Sequence, residues 1–166
     1  MRILMDGYNV IRRLPELAAV ERAEGLAAGR EALCAHLRAY RRARGHPVTV
    51  VFDGARGGEQ SRGAGGLTIY FSRVGETADA VIARLLQGSG GGVVVVSSDA
   101  EVAALAQRAG AAAVSAEEFG TRLTAAALAA LKGEEEQPPA VPAKGKGPSR
   151  RLSKAERARR ARLAKL

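Results

Sequence analysis

The chain has four aspartates, Asp6, Asp53, Asp79 and Asp99, and each stands where an apolar run ends or the next helix begins. Asp6 closes the run Ile3–Asp6, Asp53 closes VTVVFD, and Asp99 follows the run VVVVS by two residues. Asp79 falls in the first turn of a helix expected after Leu67–Phe71, with Glu76 three residues earlier. On a helix that spacing puts two acids on one face. Converging carboxylates raise one another's pKa unless a cation lies among them. Mg²⁺ and Mn²⁺ are the hard ions that prefer such oxygen donors, and phosphodiester hydrolysis is the chemistry they serve there. Asn9, just past Asp6, adds an amide oxygen or positions a water. A second reading competes at every position. An Asp after a strand is often a turn residue or a helix N-cap, and an acid in a first helical turn complements the helix dipole.

Other motifs are weaker. The glycines from 88 to 92 lack the Lys and Ser/Thr of a phosphate-binding loop and precede a strand. Ser97 and Ser98 suit a cap as well as a phosphate, His36 and His46 form no metal motif, and Cys34 reads as a small buried side chain.

The elements that must position these acids alternate between strand and helix. Ile3–Asp6 reads as a strand followed by an Asp-Gly turn. Apolar residues at helical spacing run from about Glu21 to Arg44, and Gly45-His-Pro47 ends them. Strands follow at Val48–Asp53 and Leu67–Phe71, separated by a Gly-rich segment read as a mobile loop carrying Arg56 and Arg62. A helix runs from Thr77 to about Gln87, then a strand at Val93–Ser97 that should be buried on both faces. A helix from Asp99, a short strand at Ala112–Val114 and a last helix capped by Ser115, with Glu118 completing a capping box, finish the pattern. The expectation is an α/β fold, a mostly parallel sheet of about five strands with helices on both faces. In such sheets ligands bind beyond the carboxyl ends of the strands, where the aspartates lie.

At 166 residues the chain has room for one domain and a tail. The formal charge is +9, yet residues 141–166 alone hold ten basic residues against one acid. The organisation expected is a domain over 1–132, a Pro- and Gly-rich linker over 133–152 and a basic tail over 153–166. Ser153 and Glu156 form a capping box able to start a short helix there. Arg150, Arg151, Lys154, Arg157, Arg159 and Arg160 suit an RNA or ribosome surface, with a disordered solubility tail as the plainer reading. Arg12, Arg13, Arg56 and Arg62 are candidates to neutralise phosphates nearer the acids. One Cys excludes an internal disulfide and a thiolate zinc site. With aromatics at 4% and no Trp, a sheet of stacked aromatics is not expected. No apolar run approaches a membrane span and the N-terminus is no signal peptide, so a cytoplasmic protein without membrane partners is expected.

The motifs Asp6-Gly-Tyr-Asn9-Val-Ile11, Val50-Val-Phe-Asp53-Gly, Gly75-Glu-Thr-Ala-Asp79 and Val95-Val-Ser-Ser-Asp99, in this order, resemble the NYN domain and its YacP-like branch, related to PIN-domain nucleases. The resemblance covers about residues 1–130. It implies a PIN-like three-layer sandwich and a ribosome-associated endoribonuclease that cuts single-stranded mRNA during translation with Mg²⁺ or Mn²⁺. It makes Asp6, Asp79 and Asp99 the metal-holding carboxylates, with Asn9 beside them as a catalytic residue. Asp53, Glu76, Thr77 and Ser98 become supports of the site. The alternatives are a non-catalytic RNA- or ribosome-binding module whose acids only cap helices, and a metal-dependent nuclease acting on DNA.

Overall fold

The computed structural model describes residues 1–54, 60–62, 66–87, 89, 91–132, 160–162 and 164. The first strand, β1 (Arg2–Asp6), leads into three helices, α1 (Gly7–Arg13), α2 (Pro15–Glu24) and α3 (Leu26–Arg44). Then come β2 (Val48–Phe52), β3 (Gln60–Arg62), β4 (Thr68–Phe71), α4 (Ala78–Leu86) and β5 (Val93–Val96). The elements α5 (Ala100–Arg108), β6 (Ala112–Val114) and α6 (Ala116–Lys132) complete the order. The sheet runs β3-β4-β2-β1-β5-β6, with β3 antiparallel to β4 and every other pairing parallel.

Strand side chains alternate between faces, and the core divides accordingly. Ile3, Met5, Val50, Phe52, Val94 and Val96 face one way and pack with Leu33, Leu37 and Tyr40 of α3 and Phe119 and Leu123 of α6. Leu4, Val51, Val93 and Val95 face the other way, against Val81, Ile82 and Leu86 of α4 and Val102 and Ala106 of α5. The result is the expected three-layer α/β sandwich. All four residues of β5 are buried, as its unbroken apolar run requires.

Three local expectations are corrected. Asp6-Gly7 is not a turn: Asp6 is the N-cap and Gly7 the first residue of α1. A Cβ on Gly7 would run into the Phe52 ring, so only glycine lets α1 lie this close to β2. The helical stretch before residue 44 is two helices, broken at Gly25 with φ of 91°. Within the segment read as a loop, Gln60–Arg62 forms an edge strand, which puts Arg62 in β3. The flanking residues, Arg56 among them, lie outside the described residues. So do the linker and the basic positions Arg150, Arg151, Lys154, Arg157 and Arg159. Residues 160–162 are helical with Arg160 exposed, and Arg162 donates to the carbonyl oxygens of Val93 (3.4 Å) and Gly110 (3.2 Å).

Candidate active site at the strand ends

Sheet register brings the aspartates to one edge. Asp6 pairs level with Val51, two residues before Asp53. Met5 pairs level with Val96, so the position level with Asp6 on β5 is two residues before Asp99. Asp79 joins them from the first turn of α4. Asp6 and Asp79 are partly buried, while Asp53 and Asp99 are exposed.

The electrostatics of the two partly buried acids agree with this convergence. The Asp6 carboxyl is pushed above its ordinary value first by burial and then by the charges of Asp79 and Asp53, against the N–H groups of Asn9 and Tyr8, which lower it. Asp79 is pushed up by burial and then by Asp99, Asp53 and Glu101. The charges that shift both groups are negative. Glu101 was missed by sequence reasoning, although its place two residues after Asp99 was a usable signal.

Each remaining candidate has a definite partner. Asp6 Oδ1 accepts from the Asn9 N–H at 3.1 Å, which caps α1. Asn9 Oδ1 accepts from the Ser98 N–H at 2.8 Å and so ties α1 to the end of β5. Its amide oxygen is therefore engaged in positioning the loop that carries Asp99. Asp53 Oδ1 accepts from the Ala78 N–H (2.6 Å) and from the Ser72 hydroxyl (3.3 Å), pinning the start of α4 to the end of β2. Thr77 caps α4 through the Ala80 N–H at 3.2 Å. Asp99 caps α5 through the N–H groups of Glu101 (2.7 Å) and Val102 (3.4 Å). These bonds tie one oxygen each of Asp6, Asp53 and Asp99 to the starts of α1, α4 and α5. Ser98 turns away from the acids: its hydroxyl donates to Glu117 at 2.5 Å and accepts from the Ala116 N–H at 3.0 Å.

Glu76 corrects the helical-face reading. It precedes α4, accepts from the Arg73 N–H at 3.3 Å and pairs with Arg84 at 2.6 Å. It therefore shapes the turn into α4 and does not share a helix face with Asp79.

Among the described residues, no three of His, Cys, Asp and Glu are gathered into a ready-made metal cage. The donor chemistry nonetheless suits a hard divalent ion: all-oxygen ligands, partly desolvated and loaded with like charge. A cavity of about 440 Å³ opens beside Asp6 and Asp53, lined also by Tyr8, Asn9, Arg12, Arg13 and Leu26. A larger one, about 770 Å³, follows β6 and meets the site through Ser97, Ser98, Asp99 and Arg13.

Comparison with protein families then decides the identity, because the model of the YacP-like NYN domain matches residues 3–165. The chain belongs to the YacP-like NYN family. This is a PIN-like nuclease family, and the match runs through the basic segment, beyond the stretch of about 130 residues that the motifs alone span. Among solved structures, the chain is similar to Rae1 (YacP) from Bacillus subtilis. The two are 26% identical, with 80% of this chain and 79% of that one covered and a TM-score of 0.66. A single-substitution mutant of that protein gives 27% identity, 80% coverage of each chain and a TM-score of 0.65. Curated protein sequences give no match. Among the described residues no helix is long and apolar enough to cross a membrane.

Proposed function

We propose that this YacP-like NYN protein is a divalent-metal-dependent endoribonuclease that cuts single-stranded RNA, with mRNA on the ribosome as its substrate in the cytoplasm. The observation that carries the reading is the pair Asp6 and Asp79. They come from separate elements, are partly buried, and are pushed up first by that burial and then by neighbouring carboxylates, Asp79 and Asp53 for Asp6 and Asp99 and Asp53 for Asp79. Asp6, Asp79 and Asp99 would hold Mg²⁺ or Mn²⁺, and Mg²⁺ is usually held by one or two carboxylates together with substrate phosphates. Such an ion supplies Lewis-acid stabilisation of phosphoryl charge and makes water acidic enough to serve as nucleophile near neutral pH. Asn9 is a positioning residue that holds the Asp99 loop against α1 through Ser98. Asp53 and Thr77 fix the first turn of α4 and with it Asp79. Arg13 stands at the rim of the acid cavity, where it can meet a phosphate. The basic residues from Arg150 to Arg160 supply affinity for RNA or the ribosome.

A second reading, a non-catalytic RNA-binding module, draws on the capping bonds of Asp53 and Asp99. Capping does not explain Asp79, whose carboxylate is no N-cap. The discriminating experiment offers the protein one sequence as RNA and as DNA, with and without translating ribosomes, in Mn²⁺, Mg²⁺ and EDTA. Metal-dependent cuts in the RNA alone are expected. Cuts in DNA favour the DNA nuclease, and binding without cuts favours the module.

A further inference from the structure

Arg12 is placed unusually for a phosphate-gripping residue. It sits in the last turn of α1, and its guanidinium lies over the Tyr8 ring, 5.4 Å from the centroid. Its Nε is 3.7 Å from Glu21 Oε1, while the side chain is 66% exposed. Tyr8 beneath it is locked. Its hydroxyl oxygen accepts from Arg30 at 2.7 Å, its ring meets Phe52 edge-on at 5.2 Å, and it is only 9% exposed. Arg12 is thus held over the ring, paired with Glu21 and largely open to solvent. Leu26, at the start of α3, lines the same cavity and is 48% exposed. An exposed guanidinium and an exposed aliphatic side chain, lining one cavity with the carboxylates of Asp6 and Asp53, form an amphipathic slot. Its volume of about 440 Å³ suits one small ligand and not a duplex.

We propose that this slot takes one unpaired nucleotide of the RNA strand next to the carboxylate site, its base stacked on the Arg12 guanidinium and against Leu26. The proposal rests on the ribonuclease reading and adds to it a substrate position. Bases splayed out of single strands are recognised by stacking on aromatic or guanidinium planes, whereas a base within a duplex has both faces covered. In a chain without Trp, Tyr8 does not stack on the base itself; it fixes the plane that does. Cation–π contact and the ion pair with Glu21 pre-organise Arg12, so little rotamer freedom is lost when the base arrives.

The test separates shape from charge. In the Asp79→Asn background, where RNA is bound but not cut, affinity is measured by fluorescence anisotropy for short single-stranded RNAs. Each RNA carries an abasic site at a different position. One position should lower affinity by about tenfold, the order expected of a lost base stack. Arg12→Lys keeps the charge but not the plane. It should weaken intact RNA by a similar factor and erase the effect of that one abasic site. Leu26→Ala should reduce the same position's effect in part. The proposal is overturned if Arg12→Lys binds as its parent does with the same abasic profile, if no position stands out, or if the parent binds no RNA. Cleavage by the wild type, measured alongside, shows whether the ribonuclease reading stands when the subsite falls.

Discussion

Asp6 and Asp79 are less acidic in the folded chain than their ordinary value of 3.8, chiefly through burial and then through neighbouring carboxylates. The sign of the consequence is definite. Between 3.8 and the raised folded values the native state binds more protons than the unfolded one, so stability falls as pH rises through that window. At neutral pH the penalty is present in full, and it is relieved as the pH is lowered towards 3.8. Asp79→Asn removes one of these charges, so its melting temperature without metal at pH 7 should be no lower than that of wild type. The difference should shrink as Mg²⁺ or Mn²⁺ is added or as the pH is lowered towards 3.8. A variant markedly less stable than wild type at pH 7 would contradict the account of Asp79. Asn9 acts by another route. Asn9→Ala leaves the partly buried Ser98 N–H without its 2.8 Å partner, a loss of about 1–3 kcal/mol for an unsatisfied donor. Urea unfolding should show that loss, and cleavage should fall through kcat more than KM, because Asn9 positions the Asp99 loop without binding the strand.

At the scale of elements, the close approach of α1 to β2 sets the site. Gly7 lies against Phe52, which packs between Tyr8 and Phe71. Gly7→Ala should cost about 1–3 kcal/mol of stability by overpacking and displace both Asp6 and Asn9. A lower urea midpoint with reduced cleavage is expected; an unaltered midpoint would show that α1 can move freely. This is also where sequence was least informative. Asp-Gly is a strong turn signal, and a seven-residue helix offers too few apolar positions to outweigh it. By contrast VVVVS, VTVVF and the Ser115–Glu118 capping box were legible because their patterns are local; the box forms with bonds of 3.1 and 3.3 Å. The convergence of the four aspartates was legible from one topological rule about strand ends. The partners that assign their roles were not. Asn9 and Ser98 are 89 positions apart, and Glu76 chooses Arg84 eight positions on, beyond the three- and four-residue spacing at which helix side chains pair.

Across the whole molecule the acids and the described Arg162 lie at opposite ends of the sheet. The acids gather at the carboxyl ends of the strands, whereas Arg162 bonds to Val93, the first residue of β5, and to Gly110, just before β6. A long strand such as mRNA can reach both ends, which a small phosphate ester cannot. Removing residues 141–166 takes away ten basic residues and one acid. RNA or ribosome binding should then weaken and its salt dependence flatten, since each neutralised phosphate releases counterions. Unchanged binding across a salt series would remove the segment from the account. The catalytic claim is tested most directly by mapping cuts in mRNA on translating ribosomes, with wild type and Asp79→Asn compared in Mn²⁺, Mg²⁺ and EDTA. Discrete cuts that need the metal and fall by at least about 10²–10³-fold in the variant are predicted, the scale of losing a main electrostatic contributor. Cuts of equal strength from both proteins, or cuts that persist in EDTA, would contradict it.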